Sequence, residues 1–331
     1  MAVLVTGGAG YIGSHMVLAL LDAGETVVVL DDLSTGFRWA VAPQATFILG
    51  DVSDSELVAR IVDEHAIDAV IHFAARIVVP DSVADPLGYY LANTVKTRAL
   101  LASVVKAGIP RFIFSSTAAV YGMVGIDPVA EDAVLSPISP YGRSKLMSEW
   151  MLQDTAFATP LRYVALRYFN VAGGDPKGRT GQSTAGATHL IKVACETALG
   201  KRAGIQVYGT DYPTPDGTCL RDYIHVADLV AAHLDALRHL RAGGESGTYN
   251  CGYGRGYSVL EVLKAVKEAS GVDFKVEFAP RRAGDPAAVV AKADRIRAAL
   301  GWTPKLDDLP TIVAHALAWE RQLDDRLRTV A

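Results

Sequence analysis

Ala2-Val-Leu-Val-Thr-Gly-Gly-Ala-Gly-Tyr-Ile-Gly-Ser14 opens as a short apolar run, passes through three glycines spaced three apart, Gly7, Gly10 and Gly13, and leads straight into a helical stretch. Residues without a Cβ let the backbone turn tightly and approach a pyrophosphate, whose charge the unpaired N–H groups of a helix N-terminus stabilise. A glycine triplet alone is weak evidence. Here it lies between a strand and a helix, and Asp31 ends the next apolar run, Thr26-Val-Val-Val-Leu-Asp31, 18 residues after Gly13. That is near the distance at which an acid accepts hydrogen bonds from an adenosine ribose. Asp31, followed by a second acid, Asp32, repels a 2′-phosphate, so the pattern favours NAD over NADP.

The same texture continues outward. Thr46 to Leu49, Asp68 to Phe73, Arg111 to Ser115 and Arg162 to Arg167 are short, β-branched or aromatic runs, separated by amphipathic stretches at Ser14–Ala23, Ser55–His65, Leu91–Ala107 and Pro140–Ala158. Strands apolar on both faces, alternating with helices, imply right-handed crossovers and a buried parallel sheet. The expected fold is α/β, a Rossmann-type doubly wound sheet over residues 1–170. A Gly-rich segment and shorter elements beyond Asn170 suggest a smaller C-terminal α/β lobe over 171–331, although the helix Val226–Arg241 could pack back on the first lobe.

Composition narrows the function classes. The chain has 331 residues, half of them hydrophobic and 21% charged, with a net charge of −4. This is a globular balance, and nothing in it points to nucleic acid as the partner. Cys195, Cys219 and Cys251 are spaced like neither a zinc site nor a disulfide framework, and the eight histidines lack the spacing of a metal site, so no metal is expected. With no signal-peptide pattern and no long apolar run, the expected setting is the cytoplasm, away from the membrane.

Ser139-Pro-Tyr-Gly-Arg-Ser-Lys145 reads as the start of a helix, with Ser139 as N-cap and Pro140 in the first turn. Tyr141 and Lys145, four apart, then share a face. A nearby ammonium and an oxidised nicotinamide would both favour the phenolate, turning the tyrosine into a base usable near neutral pH. The run Arg111–Ser115 continues into Ser116-Thr117, which puts hydroxyls at the carboxyl end of the sheet, where open α/β folds bind ligands.

With these residues assembled, a family becomes recognisable. Thr6 to His15, Ser115-Ser-Thr-Ala-Ala-Val-Tyr-Gly122, Tyr141 to Lys145, Leu166-Arg-Tyr-Phe-Asn170, Tyr208 to Tyr212, Arg221-Asp-Tyr-Ile-His-Val226 and Ala279 to Asp285 together resemble the extended short-chain dehydrogenase/reductase family, most closely its UDP-glucose 4-epimerase branch. The resemblance implies NAD-dependent 4-epimerisation of a UDP-hexose through a transient 4-keto sugar, with Tyr141, Lys145 and Thr117 catalytic and NAD tightly bound. It implies cofactor contacts from Gly7, Gly10, Tyr11, Ile12, Gly13, Asp31, Asp32, Asp51, Val52, Phe73, Ala74, Ala75, Asn93, Ser115, Tyr141, Lys145 and Tyr168. It implies UDP-sugar contacts from Thr117, Tyr141, Asn170, His189, Leu190, Gln206, Tyr208, Arg221, Arg282, Asp285 and Val289, with the two arginines suited to a pyrophosphate.

Three positions depart from the family pattern. Phe73-Ala-Ala-Arg-Ile77 lacks a lysine that contacts the cofactor, so that contact is lost or passes to Arg76. His189 replaces a frequent asparagine, and Val289 replaces a tyrosine lining the sugar pocket, which leaves room for an N-acetyl group. Rival readings are epimerases of other UDP-sugars (N-acetylhexosamine, pentose or uronate), a nucleotide-sugar dehydratase and a non-catalytic NAD-binding regulator. Dehydration needs an acid and base after Thr117, where this chain has Ala118 and Ala119. The intact Tyr141, Lys145 and Thr117 argue against an idle regulator. Apolar positions on the helices Leu91–Ala107 and Leu146–Ala158 suit a homodimer seam.

Overall fold

Strand Ala2–Thr6 (β1) is buried at every residue, as expected of a parallel strand covered on both faces. A computed structural model describes residues 1–282 and 284–330, with side chains to Arg326. After β1 come helix Tyr11–Asp22 (α1), Thr26–Asp31 (β2), Thr46–Leu49 (β3), Ser55–His65 (α2) and Ile67–His72 (β4). Two short helices follow, Val79–Ala84 (α3) and Pro86–Tyr90 (α4), then Lys96–Lys106 (α5), Arg111–Thr117 (β5), Pro140–Ala158 (α6) and Arg162–Tyr168 (β6). The remainder comprises Asn170–Ala172 (β7), Leu190–Ala198 (α7), Ile205–Tyr208 (β8), Leu220–His225 (β9), Val226–Arg241 (α8), Gly247–Cys251 (β10), Gly256–Ser258 (β11), Val259–Ser270 (α9), Val276–Ala279 (β12), Ala288–Val289 (β13), Asp294–Leu300 (α10) and Leu309–Val330 (α11).

Seven strands form one parallel sheet in the order β10-β6-β5-β4-β1-β2-β3. The order reverses between β1 and β4, the kind of switch point outside which doubly wound sheets bind ligands. Alternation along the strands builds two cores. Val3 and Val5 join Met16, Val17 and Leu229 beneath α1 and α8, whereas Leu4, Val28, Phe112 and Phe114 join Ile61, Leu100 and Leu152 beneath α2, α5 and α6. A third core, with Ile191, Cys195, Val262, Leu263 and Ile312, lies among α7, α9 and α11. The smaller sheets are β11-β9-β13 with β7 on β9, and β12-β8.

Two details differ from the sequence expectation. The helix expected over 91–107 begins with a π-helical turn, Leu91–Val95, before α5. Such a turn inserts an extra residue and re-aims its neighbours; here it carries the buried Asn93. The main sheet also takes an unexpected strand from beyond residue 170, because β10 pairs with β6; α8, the helix that could pack back, does lie on α1, β5 and β6.

The glycine turn leaves no space for side chains. Gly7 has φ +70°, and a Cβ there would sit 2.6 Å from the Ala74 amide nitrogen; a Cβ on Gly13 would sit 2.0 Å from the Gly7 carbonyl oxygen. Gly13→Ala should therefore destabilise the fold by roughly 2 kcal/mol or more, read as the shift of a urea unfolding midpoint. A parent-like midpoint would contradict the close packing of this turn.

Candidate active site

The loop between β1 and α1 ends at Gly10, which caps α1 without a side-chain acceptor, so the first amides of Tyr11 and Ile12 remain available to an anion. Asp31, buried at the end of β2, accepts from the Ala9 amide at 2.9 Å and the Leu33 amide at 2.8 Å. It thereby ties the glycine loop to the next strand. Burial pushes its pKa up, with the two amides opposing. Exposed Asp32 accepts from the Ser34 amide. Asp51 pairs with Lys96 and accepts from Ser53; burial opposes this, but Lys96 and Ser53 prevail and its pKa falls. Val52 beside it is buried.

Across the switch point, the Phe73 amide donates to the Thr6 carbonyl at 3.0 Å, and half-buried Ala74 and Ala75 follow. Asn93 on the π turn accepts from the Arg76 amide at 2.8 Å, and its Nδ2 donates to the Arg76 carbonyl at 2.9 Å and to Ser144 Oγ at 3.0 Å. It thus clamps the loop after β4 to α6. The Arg76 guanidinium is engaged elsewhere, 2.7 Å from Asp85 and over the Tyr89 ring.

Ser139 caps α6 by accepting from the Gly142 amide at 3.1 Å, with Pro140 in the first turn, and this helix presents Tyr141 and Lys145 to the end of β5. Tyr141 is 8% exposed and lies beside Thr117, whose Oγ1 accepts from the Ala119 amide at 3.1 Å. Lys145, 3% exposed, donates to the Ser115 carbonyl at 2.9 Å and lies 4.9 Å from the centroid of the Phe114 ring. Ser115 Oγ pairs with Tyr168 Oη at the adjoining strand end, and burial pushes that phenol up.

The expected acidity of Tyr141 is not a property of the protein alone. Burial pushes its phenol up to about 12, only partly offset by the neighbouring Thr117 hydroxyl. Lys145 is pushed down to about 7, also chiefly by burial, with the Glu149 carboxylate opposing. Both charged forms lose hydration, and the ammonium is directed at a carbonyl and an aromatic face rather than at the phenol oxygen.

A second group of residues lies on the smaller sheets. Asn170, His189 and Leu190 line one cavity together with Gln182, Lys192 and Trp319. His189 Nδ1 lies 2.9 Å from Gln182 Nε2. Arg221 donates to the Leu220 and Pro286 carbonyls at 2.9 Å, stands 3.7 Å from Asp285, and is in register with Val289 on β13. Arg282 stacks 3.7 Å over the Tyr208 ring, and Tyr208 Oη donates to Gln206 at 2.6 Å. Among the described residues no group of three or more His, Cys, Asp or Glu could hold a metal ion, and no helix is long and apolar enough to cross a membrane.

Sequence reading missed the buried pair beneath the catalytic candidates. Glu149 and Arg167 are joined at 2.6 Å with both side chains 6% exposed, and Ser116 donates to the same carboxylate. Glu149 follows Tyr141 and Lys145 at the same four-residue interval, which was the available signal.

The NAD dependent epimerase/dehydratase family model matches residues 3–252. A UDP-glucose 4-epimerase of Azospirillum brasilense is 57% identical over 322 residues, covering 97% of this chain and 92% of that protein. The crystal structure of UDP-glucose 4-epimerase from Brucella ovis in complex with NAD superposes with a TM-score of 0.93 at 44% identity, over 96% of this chain and 97% of that one. The UDP-Glc/GlcNAc 4-epimerase from Campylobacter jejuni gives 0.85 at 48% identity, over 97% and 99%. With its sheet order, glycine turn and α6 tyrosine and lysine already matching that pattern, the chain belongs to the NAD dependent epimerase/dehydratase family, in its group of UDP-glucose 4-epimerases.

Proposed function

We propose that the chain interconverts UDP-glucose and UDP-galactose by epimerising C4 of the hexose through a transient 4-keto sugar, with NAD held tightly throughout. The observation that carries this reading is the buried hydroxyl pair Tyr141–Thr117, one helical turn from Lys145, at the carboxyl end of β5. A dinucleotide fits the other side of the switch point. Gly7, Gly10 and Gly13 form a turn that Cβ atoms would fill, the α1 amides of Tyr11 and Ile12 lack partners from a cap, and Asp31 places a carboxylate at the end of β2 to receive a ribose and exclude a 2′-phosphate.

In this reading Asp32, Asp51 and Val52 flank the adenosine end, Phe73, Ala74, Ala75 and Asn93 wall the middle, and Ser115 and Tyr168 back the nicotinamide end. NAD, when bound, supplies the acceptor and later the donor of the C4 hydride, and adds a positive ring charge to the pocket. Tyr141 Oη takes the 4-hydroxyl proton and returns it. Thr117 Oγ1 gives one lone pair to the Ala119 amide and keeps its proton and its second lone pair to bridge phenol and sugar oxygen. Lys145 holds positive charge behind the phenol. Because the protein alone keeps Tyr141 protonated, the base forms only in the loaded site. Arg221 and Arg282 grip the pyrophosphate as planar forks, with Asn170, His189, Leu190, Gln206, Tyr208 and Asp285 around the nucleotide and sugar. The short Val289 side chain beside Arg221 leaves room at the sugar, favouring acceptance of an N-acetylated hexose as a second substrate.

Residues 1–170 would hold the cofactor and 171–331 the nucleotide sugar, with α8 and β10 lent to the first part; Ala331 lies outside the described residues. The enzyme works as a homodimer in this reading, because Val83, Leu87, Leu91 and Val95 form an exposed stripe at four-residue spacing, next to Trp150 and Phe157 exposed on α6. Three buried unpaired cysteines suit the reducing cytosol.

Purified protein given UDP-galactose without added NAD should form UDP-glucose, and Tyr141→Phe should lower kcat by roughly a thousandfold. Unchanged turnover in that variant would remove Tyr141 from the reaction, and inert UDP-N-acetylglucosamine would remove the second substrate. Leu91→Asp should convert the dimer to monomer in sedimentation; a parent that already sediments as a monomer would contradict the seam. Lys145, depressed in the fold, contributes stability that is present above its unfolded pKa near 10.4 and is lost as the pH falls through about 7. Lys145→Met should thus be inactive, yet gain on the parent by an amount on the order of 4 kcal/mol between pH 11 and pH 6. A pH-independent difference in unfolding free energy would refute the burial of that charge.

A further inference from the structure

Three consecutive residues at the end of β5 each face a residue of α6, two of them with a hydrogen bond, and the three helix residues are one turn apart. Thr117 meets Tyr141, the Ser115 carbonyl meets Lys145, and Ser116 Oγ meets Glu149. Positions 141, 145 and 149 lie on one helical face, and Phe112, Phe114 and Ser116 on the strand face beneath it. The first two rungs belong to the reaction proposed above. The third has no assigned role.

Glu149 is built as rigidly as its neighbours. Its carboxylate accepts from Ser116 Oγ, from Arg167 Nε at 3.0 Å and from Arg167 Nη2 at 2.6 Å. Arg167 sits in register with Ser116 on the adjoining strand, and its Nη1 donates to Tyr121 Oη at 3.0 Å and to the Glu131 carbonyl at 3.2 Å. Tyr121 Oη in turn donates to Asn250 at 2.6 Å. A fork this fully bonded holds β5, β6 and α6 in a single relative position.

We propose, resting on the epimerase reading, that Glu149 is a positioning residue of the reaction: through Ser116 and Arg167 it fixes α6 in the register that sets Tyr141 beside Thr117, and one helical turn beyond Lys145 it is the carboxylate that faces that ammonium. Ionisable groups facing Lys145 are Glu149 on its own helix and His72 on β4; those facing Glu149 are Arg167, Tyr121 and Tyr163. Of these only Glu149 offers Lys145 a negative charge. Replacing it by an amide leaves the Arg167 cation uncompensated in the same buried layer, which disfavours a second ammonium nearby.

Ser116→Ala removes the hydroxyl rung and leaves the ion pair intact. It should lower kcat for UDP-galactose roughly tenfold, because a small misplacement of the base weakens proton transfer, while KM stays within about twofold. Glu149→Gln should move the alkaline limb of the kcat profile down by about one pH unit, as Lys145 loses its proton earlier. A purely structural ion pair would lower thermal stability and leave both readouts at parental values. Parental kcat in Ser116→Ala, or an unmoved limb in Glu149→Gln, overturns the proposal; if Glu149→Gln does not fold, the Ser116→Ala result decides alone. Tyr141→Phe serves as the control. Turnover surviving there sinks the parent reaction, whereas an inactive Tyr141→Phe beside a fully active Ser116→Ala sinks only the third rung.

Discussion

The contact between the Gly13 position and the Gly7 carbonyl oxygen is the constraint on which the architecture rests. Because the chain turns there with no room for a methyl group, a tight loop carries it from Thr6, the end of β1, to Tyr11, the start of α1, and the first amides of the helix lie at the switch point of the sheet. The same turn presses Gly7 against Ala74, so the loops after β1 and β4 meet edge to edge. Asp31 then fastens the turn to β2 through the Ala9 amide. A cleft lined by backbone donors on one side and a carboxylate on the other follows from packing, and the chemistry is arranged around it.

At the opposite wall, burial and charge oppose each other. Tyr141 and Lys145 are both nearly inaccessible to water, and both are held toward their neutral forms. A phenol that keeps its proton in the unloaded protein does no stray proton chemistry there. Bound ligands can change that balance because the site excludes the water that would screen them. The rigid attachment of α6 to β5 keeps the two oxygens of Tyr141 and Thr117 together while that balance shifts.

Much of this was legible in the sequence because local rules and global fold agree. The glycine triplet, the acid at the end of β2, the Ser-Pro helix start and the alternation of apolar runs each rest on short-range physics. What the sequence hid depends on distant partners. The π turn at Leu91–Val95 has no local signature; it becomes visible only when Asn93 is seen clamping Arg76 and Ser144. Arg167 lies in a run read simply as strand, and its partner Glu149 lies 18 residues earlier on a helix; the four-residue interval marks Glu149 but not the arginine it pairs with. The acidity expected of Tyr141 likewise depends on partners that spacing does not place. Spacing shows that two side chains share a face, but not which way the ammonium turns or how much hydration each group has lost.

The seventh strand of the parallel sheet, Gly247–Cys251, comes from far beyond the point where the chain first leaves that sheet. Until it arrives, β6 is a bare edge with its backbone groups unpaired, and α8 is missing from the face over α1. On a ribosome the N-terminal half therefore cannot complete itself as it emerges. It must wait for strands that follow Asn170 in the chain, and a polypeptide released near Asn170 would present a sticky template for other chains.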